Sequence, residues 1–272
     1  MSLPVVWAIG GIDPSGGAGI YQDLKVMSWS GVHPMGLPAA LTAQNIDHVN
    51  GVMAVDPDFF TRMARTLYEK HPPVAVKVGL LPVAISKAVI GVLKGLPEDV
   101  FLAVDPIFRF GSGDSFLEEA AFREMAHQIF PLADLVLPNI PEAEVLLGHP
   151  LLPGVSGLEK GALELRELYA PAAVYLKGGH RQEQVRTDVF VDGEGAFFLD
   201  RPEVPVPFLH GGGCTLASLL VSEIARSPLS PLRNLLSSPR DIFQRALLWE
   251  ATRPGSGRRT FEDFFSTSKT AG

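Results

Sequence analysis

Short apolar runs at 5–9, 74–78, 101–104, 135–137 and 173–176 punctuate this chain, and most are followed by a longer amphipathic segment. Each run ends in Gly, Pro or a polar residue. A strand that is apolar along its whole length buries both faces, and a parallel sheet covered by helices on each side provides that burial. Helices then serve as the crossovers between parallel strands. The expected fold class is therefore α/β, with a doubly wound, mostly parallel central sheet. At 272 residues and 46% hydrophobic content, the chain can enclose one large core as a single domain, 1–272. No linker rich in Ser, Gly or Pro and no charge run divides it.

In open α/β sheets, ligands gather at the carboxyl ends of the strands. The first run is followed by Gly10-Gly11-Ile12-Asp13-Pro14-Ser15-Gly16-Gly17-Ala18-Gly19, with Asp23 and Lys25 in a helix that continues through about residues 24–29. This loop lacks the Gly-Lys-Ser/Thr of a Walker A sequence, and Pro14 and Ser15 disturb the spacing of a dinucleotide fingerprint. Later strand ends carry Asp105-Pro106, Pro138-Asn139-Ile140-Pro141-Glu142 and Lys177-Gly178-Gly179-His180. An acid, an Asn-x-x-Glu pair and a lysine suit a magnesium–nucleotide complex, because magnesium prefers oxygen ligands and retains water. Each also has a purely structural reading. Asp105 and Asn139 suit helix caps, Glu142 the far partner of a capping box, and Lys177 an exposed strand end.

The sole cysteine stands in His210-Gly211-Gly212-Gly213-Cys214-Thr215, at the mouth of an expected helix. Glycines there allow a tight turn that points several N–H groups at one spot, and a helix N-terminus attracts anions. A thiol in that field is expected to have a lowered pKa. The structural alternative is a tight turn beside a buried thiol. Taken with the strand-end residues, the segment favours phosphoryl transfer, which needs positioned phosphates, cations and a proton acceptor.

Other functions are disfavoured. A net charge of −7 and the lack of a basic cluster with interleaved aromatics argue against nucleic-acid binding. One cysteine leaves no internal disulfide and no cysteine-based zinc site. No apolar run approaches the roughly 18 residues of a membrane span. The N-terminus reaches Gly10 and Asp13 too early for a signal peptide. A soluble, cytoplasmic protein is expected.

The segment 9–20 with Asp23-Leu24-Lys25 closely resembles the start of the bacterial hydroxymethylpyrimidine/phosphomethylpyrimidine kinases, ribokinase-like enzymes of thiamin biosynthesis. Further motifs follow in the family's order: Ala40-Leu41-Thr42-Ala43-Gln44-Asn45, Val76-Lys77-Val78-Gly79-Leu80-Leu81, Asp105-Pro106 with Ser112-Gly113-Asp114, and Pro138-Asn139-Ile140-Pro141-Glu142-Ala143-Glu144. Lys177-Gly178-Gly179-His180 and 210–215 complete the set, so the resemblance runs from about Val5 to Ala225.

The resemblance implies a three-layer sandwich with a small β flap, and commonly a homodimer. It implies ATP as co-substrate, Mg2+ as cofactor, and two successive phosphorylations of 4-amino-5-hydroxymethyl-2-methylpyrimidine. Asp23 and Gln44 would bind the aminopyrimidine beside Gly11. Asn139, Lys177 and Gly213 would hold phosphates, while Glu142, and Asp105 through water, would serve the metal. Gly211, Gly213 and the Cys214 amide would form an anion hole, with Cys214 as base. Related readings are a pyridoxal kinase of the same branch and a non-catalytic pyrimidine-binding regulator. This chain departs from the family in three places. Gly212 stands where Thr is usual, 201–209 is rich in proline, and the C-terminal part, interrupted at 227–231, has an unusual 253–259 stretch.

Overall fold

Along the first strand, β1 (Val5–Ile12), successive side chains enter two different cores. Trp7 and Ile9 join Phe60, Ile85, Phe122, Ala143 and Leu158, whereas Val6 and Ala8 join Met27, Leu216, Leu220 and Val221. A strand with apolar partners on both faces lies inside a layered structure, as its continuous hydrophobicity requires. The computed structural model describes residues 2–109, 116–178, 185–206, 209–253 and 260–267. The expected Ser112-Gly113-Asp114, Gly179-His180 and 254–259 motifs lie outside these.

The remaining strands are β2 (His33–Gln44), β3 (Val49–Ala54), β4 (Ala75–Val78), β5 (Phe101–Val104), β6 (Leu135–Val136), β7 (Val174–Leu176), β8 (Val185–Asp192) and β9 (Gly195–Pro202). The helices are α1 (Gly19–Trp29), α2 (Pro57–Tyr68), α3 (Val83–Lys94), α4 (Glu119–Ile129), α5 (Ile140–Leu147), α6 (Val155–Tyr169), α7 (Gly212–Arg226), α8 (Ser237–Thr252) and α9 (Glu262–Thr267). Among the described residues the strands form one sheet in the order β3-β2-β1-β4-β5-β6-β7-β8-β9. Pairing is parallel from β2 through β7. It is antiparallel where β3 joins β2 and where β8 and β9 extend the other edge.

Buried residues of α2 to α6 cover one face of the sheet, and those of α1 and α7 cover the other. Outside α1 and α7, residues of α8 and α9 add a small aromatic cluster with Phe261, Phe264 and Phe265. The expected three-layer α/β sandwich is present, and β3 pairs antiparallel with β2 at one edge of its sheet. No helix among the described residues is long and apolar enough to cross a membrane.

Candidate active site

At the end of β1 the register against β2 shifts between Gly10 and Gly11, and the chain leaves the sheet into the glycine-rich loop. Asp13 organises that loop. Its carboxylate accepts hydrogen bonds from the Ser15 amide at 2.9 Å, the Ser15 hydroxyl at 2.7 Å and the Ala18 amide at 3.0 Å. It also faces His210 Nε2 at 2.8 Å, joining the first loop to the cysteine loop 197 positions away. Burial alone would raise the Asp13 pKa, but the bonds from His210 and Ser15 outweigh it and hold the carboxyl below its ordinary value. Gly19 and Gly211 make the close approach possible. A Cβ on Gly19 would lie 2.3 Å from the Gly11 oxygen, and one on Gly211 would lie 1.9 Å from the Gly17 oxygen, each at positive φ.

The other strand ends converge on the same place. Asp105 follows β5 and lies 2.7 Å from Lys177 Nζ, which follows β7. Burial would lower the Lys177 pKa, but Asp105 and Glu142 raise it above its ordinary value, so the ammonium is retained. Asn139 and Glu142 form a complete capping box at the start of α5. The Glu142 amide donates to Asn139 Oδ1 at 2.9 Å, and Glu142 Oε2 accepts from the Asn139 amide at 2.8 Å. Both residues also line the cavity, so the capping role leaves them within reach of a ligand there. Burial, helped by Asp105 and opposed by Lys177, pushes the Glu142 carboxyl up to about 7.

Cys214 is the third residue of α7 and is buried, with Gly213 beside it under the Asp105–Lys177 pair. The expected lowering of its pKa is reversed. Burial pushes the thiol up to about 12, Asp23 and Asp105 add to this, and Lys77 with the Gly19 amide opposes it only in part. Desolvation of the charged form exceeds what a helix end contributes at this position. Cys214 therefore rests as a thiol.

These groups border one cavity of about 480 Å3, reached by Gly11, Gln44, Asp105, Asn139, Glu142, Lys177, Gly211, Gly213 and Cys214. Asp23 is the exception. It does not line the cavity, because it lies on the face of α1 turned into the protein, where Oδ1 meets Lys77 Nζ at 2.6 Å and Ser218 Oγ at 2.8 Å. From this part of the chain the acid that reaches the wall is Asp13, ten positions earlier. Its position directly after the first strand, at the head of a glycine loop, was the available signal.

Sequence reasoning also missed Thr42, His210 and the far wall. There Asp188 accepts from Tyr175 Oη at 2.9 Å, Arg240 Nε at 2.6 Å and the Gly178 amide at 2.8 Å. Val204, Val206, Phe243 and Leu247 add apolar surface beside them. Among the described residues no cluster of three or more His, Cys, Asp or Glu side chains is arranged to hold a metal.

Residues 13–258 match the phosphomethylpyrimidine kinase family. The chain belongs to that kinase family. A hydroxymethylpyrimidine/phosphomethylpyrimidine kinase of Aquifex aeolicus is 29% identical over 246 residues, covering 89% of this chain and 94% of the relative. A probable chloroplastic thiamine biosynthetic bifunctional enzyme of Oryza sativa is 34% identical over 228 residues, covering 83% of this chain. The match spans 41% of that longer relative. The solved structure of Bacillus subtilis pyridoxal kinase in complex with ADP is similar at a TM-score of 0.79 and 26% identity, covering 90% of this chain and 92% of that one. The sheet and its flanking helices are accordingly ribokinase-like.

Proposed function

We propose that this chain transfers the γ-phosphoryl group of ATP to the hydroxymethyl group of an aminopyrimidine, and then to the resulting monophosphate. One observation carries the reading: a fixed cation, Lys177, a glycine-built helix end at Gly211–Gly213 and the Cys214 sulfur converge on one cavity that also holds a carboxamide, Gln44. A carboxamide offers a donor and an acceptor together, which an amino group beside a ring nitrogen requires.

Phosphoryl transfer proceeds through a loose transition state, so positioning and charge stabilisation dominate catalysis. The amides at the start of α7 and the Lys177 ammonium face the transferring group. The substrate oxygen attacks phosphorus as the bond to the ADP oxygen breaks, and the hydroxyl proton passes to the Cys214 sulfur. Only the minor thiolate form can take that proton, so turnover rises with thiolate fraction. The purine lies against the apolar wall of Val204, Val206, Phe243 and Leu247.

Two carboxylates and an asparagine fit a hydrated Mg2+ better than an enclosed ion. One oxygen of Glu142 is used in the cap, and Asp105 is bonded to Lys177. Glu142 and Asp105 would hold the ion mainly through water, and when bound it would neutralise phosphate charge. A pyridoxal-type alcohol is the competing substrate, favoured by the likeness to the Bacillus pyridoxal kinase. Comparing kcat/KM for the aminopyrimidine alcohol and pyridoxal, each with ATP, tests the assignment. A preference for pyridoxal rejects it.

A further inference from the structure

The Gln44 carboxamide is held between two neighbours, and they decide which of its ends is oxygen. As drawn, Oε1 lies 3.1 Å from Thr42 Oγ1 and Nε2 lies 3.2 Å from His210 Nε2, and the hydrogen-bond partners require the amide to be turned about. Amide oxygen and nitrogen have nearly the same shape, so only hydrogen-bond logic tells them apart. The Thr42 hydroxyl has a single proton, directed to the Ile12 carbonyl at 2.8 Å, so toward Gln44 it can only accept. The group facing it must therefore be the NH2.

On the other side, His210 Nε2 lies 2.8 Å from Asp13 Oδ2. Asp13 is ionised and accepts from three further donors, so the proton on that contact must belong to His210. This holds whether the imidazole is neutral or charged. A protonated Nε2 cannot accept from an amide NH2, so the Gln44 atom facing it must be oxygen. The two contacts reach the same assignment independently.

We propose that Asp13, His210 and Thr42 lock the Gln44 carboxamide with Oε1 toward His210 and Nε2 toward Thr42, making His210 a positioning residue that sets the hydrogen-bond polarity of the substrate pocket. The locked amide keeps one N–H and one oxygen lone pair for a ligand. An aminopyrimidine edge then docks with its amino group on the His210 side and its ring nitrogen on the Thr42 side. The corresponding 4-oxo pyrimidine carries a carbonyl and a ring N–H, the reverse order, and meets acceptor with acceptor and donor with donor. A freely turning amide would serve both edges; a locked one rejects the second. This consequence rests on the aminopyrimidine reading, whereas the amide orientation does not.

Imidazole 15N–1H correlation spectra of the ligand-free protein test the orientation directly. His210 with its proton on Nε2 is expected; a proton on Nδ1 alone overturns the lock. Calorimetric titration without ATP then compares the amino alcohol with its 4-oxo counterpart in the wild type and in His210→Gln, whose own amide can turn to suit either orientation. The wild type is expected to favour the amino ligand by about 100-fold or more, from two mismatched hydrogen bonds. The ratio is expected to fall at least about tenfold in His210→Gln. Equal weakening of both ligands, with the ratio kept, contradicts the positioning role. A wild type that binds neither ligand rejects the aminopyrimidine reading and the docking built on it, while the tautomer measurement still decides the amide orientation.

Discussion

Asp23 and Lys77 form an enclosed ion pair, with Oδ1 and Nζ 2.6 Å apart and side-chain exposures of 2% and 0%. Lys77 lies mid-strand in β4, and Ser218 of α7 completes the carboxylate's contacts, so the pair ties α1, the sheet and α7 together behind the cavity. Removing one member of such a pair strands a buried charge. Lys77→Met is expected to destabilise the fold by about 3–5 kcal/mol in chemical denaturation, and Asp23→Leu with Lys77→Met to recover much of that loss. A single variant as stable as the wild type would show that the pair is dispensable.

That pair also shows what the sequence conceals. The five central strands were legible because strands buried on both faces are apolar throughout. In contrast, β2 carries Pro34, Gly36 and Pro38 and mixes exposed with buried positions, and β8 and β9 lie toward an edge, so none has a continuous apolar signature. Asp23 resembled a site residue through its motif, yet it shares the inward stripe of α1 with Ile20 and Met27 at helical spacing. Lys77, an ammonium inside an otherwise apolar strand, was the matching signal, since a buried charge requires a partner. The thiol pKa was misread because sequence gives proximity to a helix end but not the depth of burial.

Cys214 is the sole cysteine, so alkylation reports on it alone. With a pKa near 12, inactivation by iodoacetamide is expected to accelerate about tenfold per pH unit from 7 to 10 without a plateau. The same slope is expected in kcat/KM if the thiolate is the base, and Cys214→Ala is expected to lower kcat at least about 100-fold. A plateau near neutrality would mean a thiolate at rest. The sign for stability follows: the folded pKa lies above the unfolded value of 9.0, so this group's contribution is complete below pH 9.0 and is lost as pH rises toward about 12.

The glycines of the cradle are not equivalent. A Cβ on Gly212 meets only Leu209 and Phe243 at 3.7 Å, an ordinary contact distance. Gly212→Ala is therefore expected to gain about 0.5–1 kcal/mol in thermal or chemical unfolding, by restricting the unfolded chain. Gly211→Ala is expected to lose at least about 1–3 kcal/mol through backbone strain and collision with the Gly17 carbonyl. Equal effects at the two positions would contradict the loop geometry.

In the proposed reaction Lys177, paired with Asp105 on the cavity wall, is the fixed cation at the transferring group. Lys177→Gln is expected to reduce kcat by about 100- to 1000-fold, with a smaller change in the KM of the alcohol. A change confined to KM would place the lysine in ground-state binding only.

In the proposed reaction this cavity moves a phosphoryl group from ATP to the hydroxymethyl oxygen of an aminopyrimidine. Following the purified protein by 31P NMR with ATP, Mg2+ and 4-amino-5-hydroxymethyl-2-methylpyrimidine tests it most directly. The expected result is ADP together with a phosphomonoester signal that gives way to a diphosphate ester. Unchanged ATP, or inorganic phosphate with no ester, would contradict it.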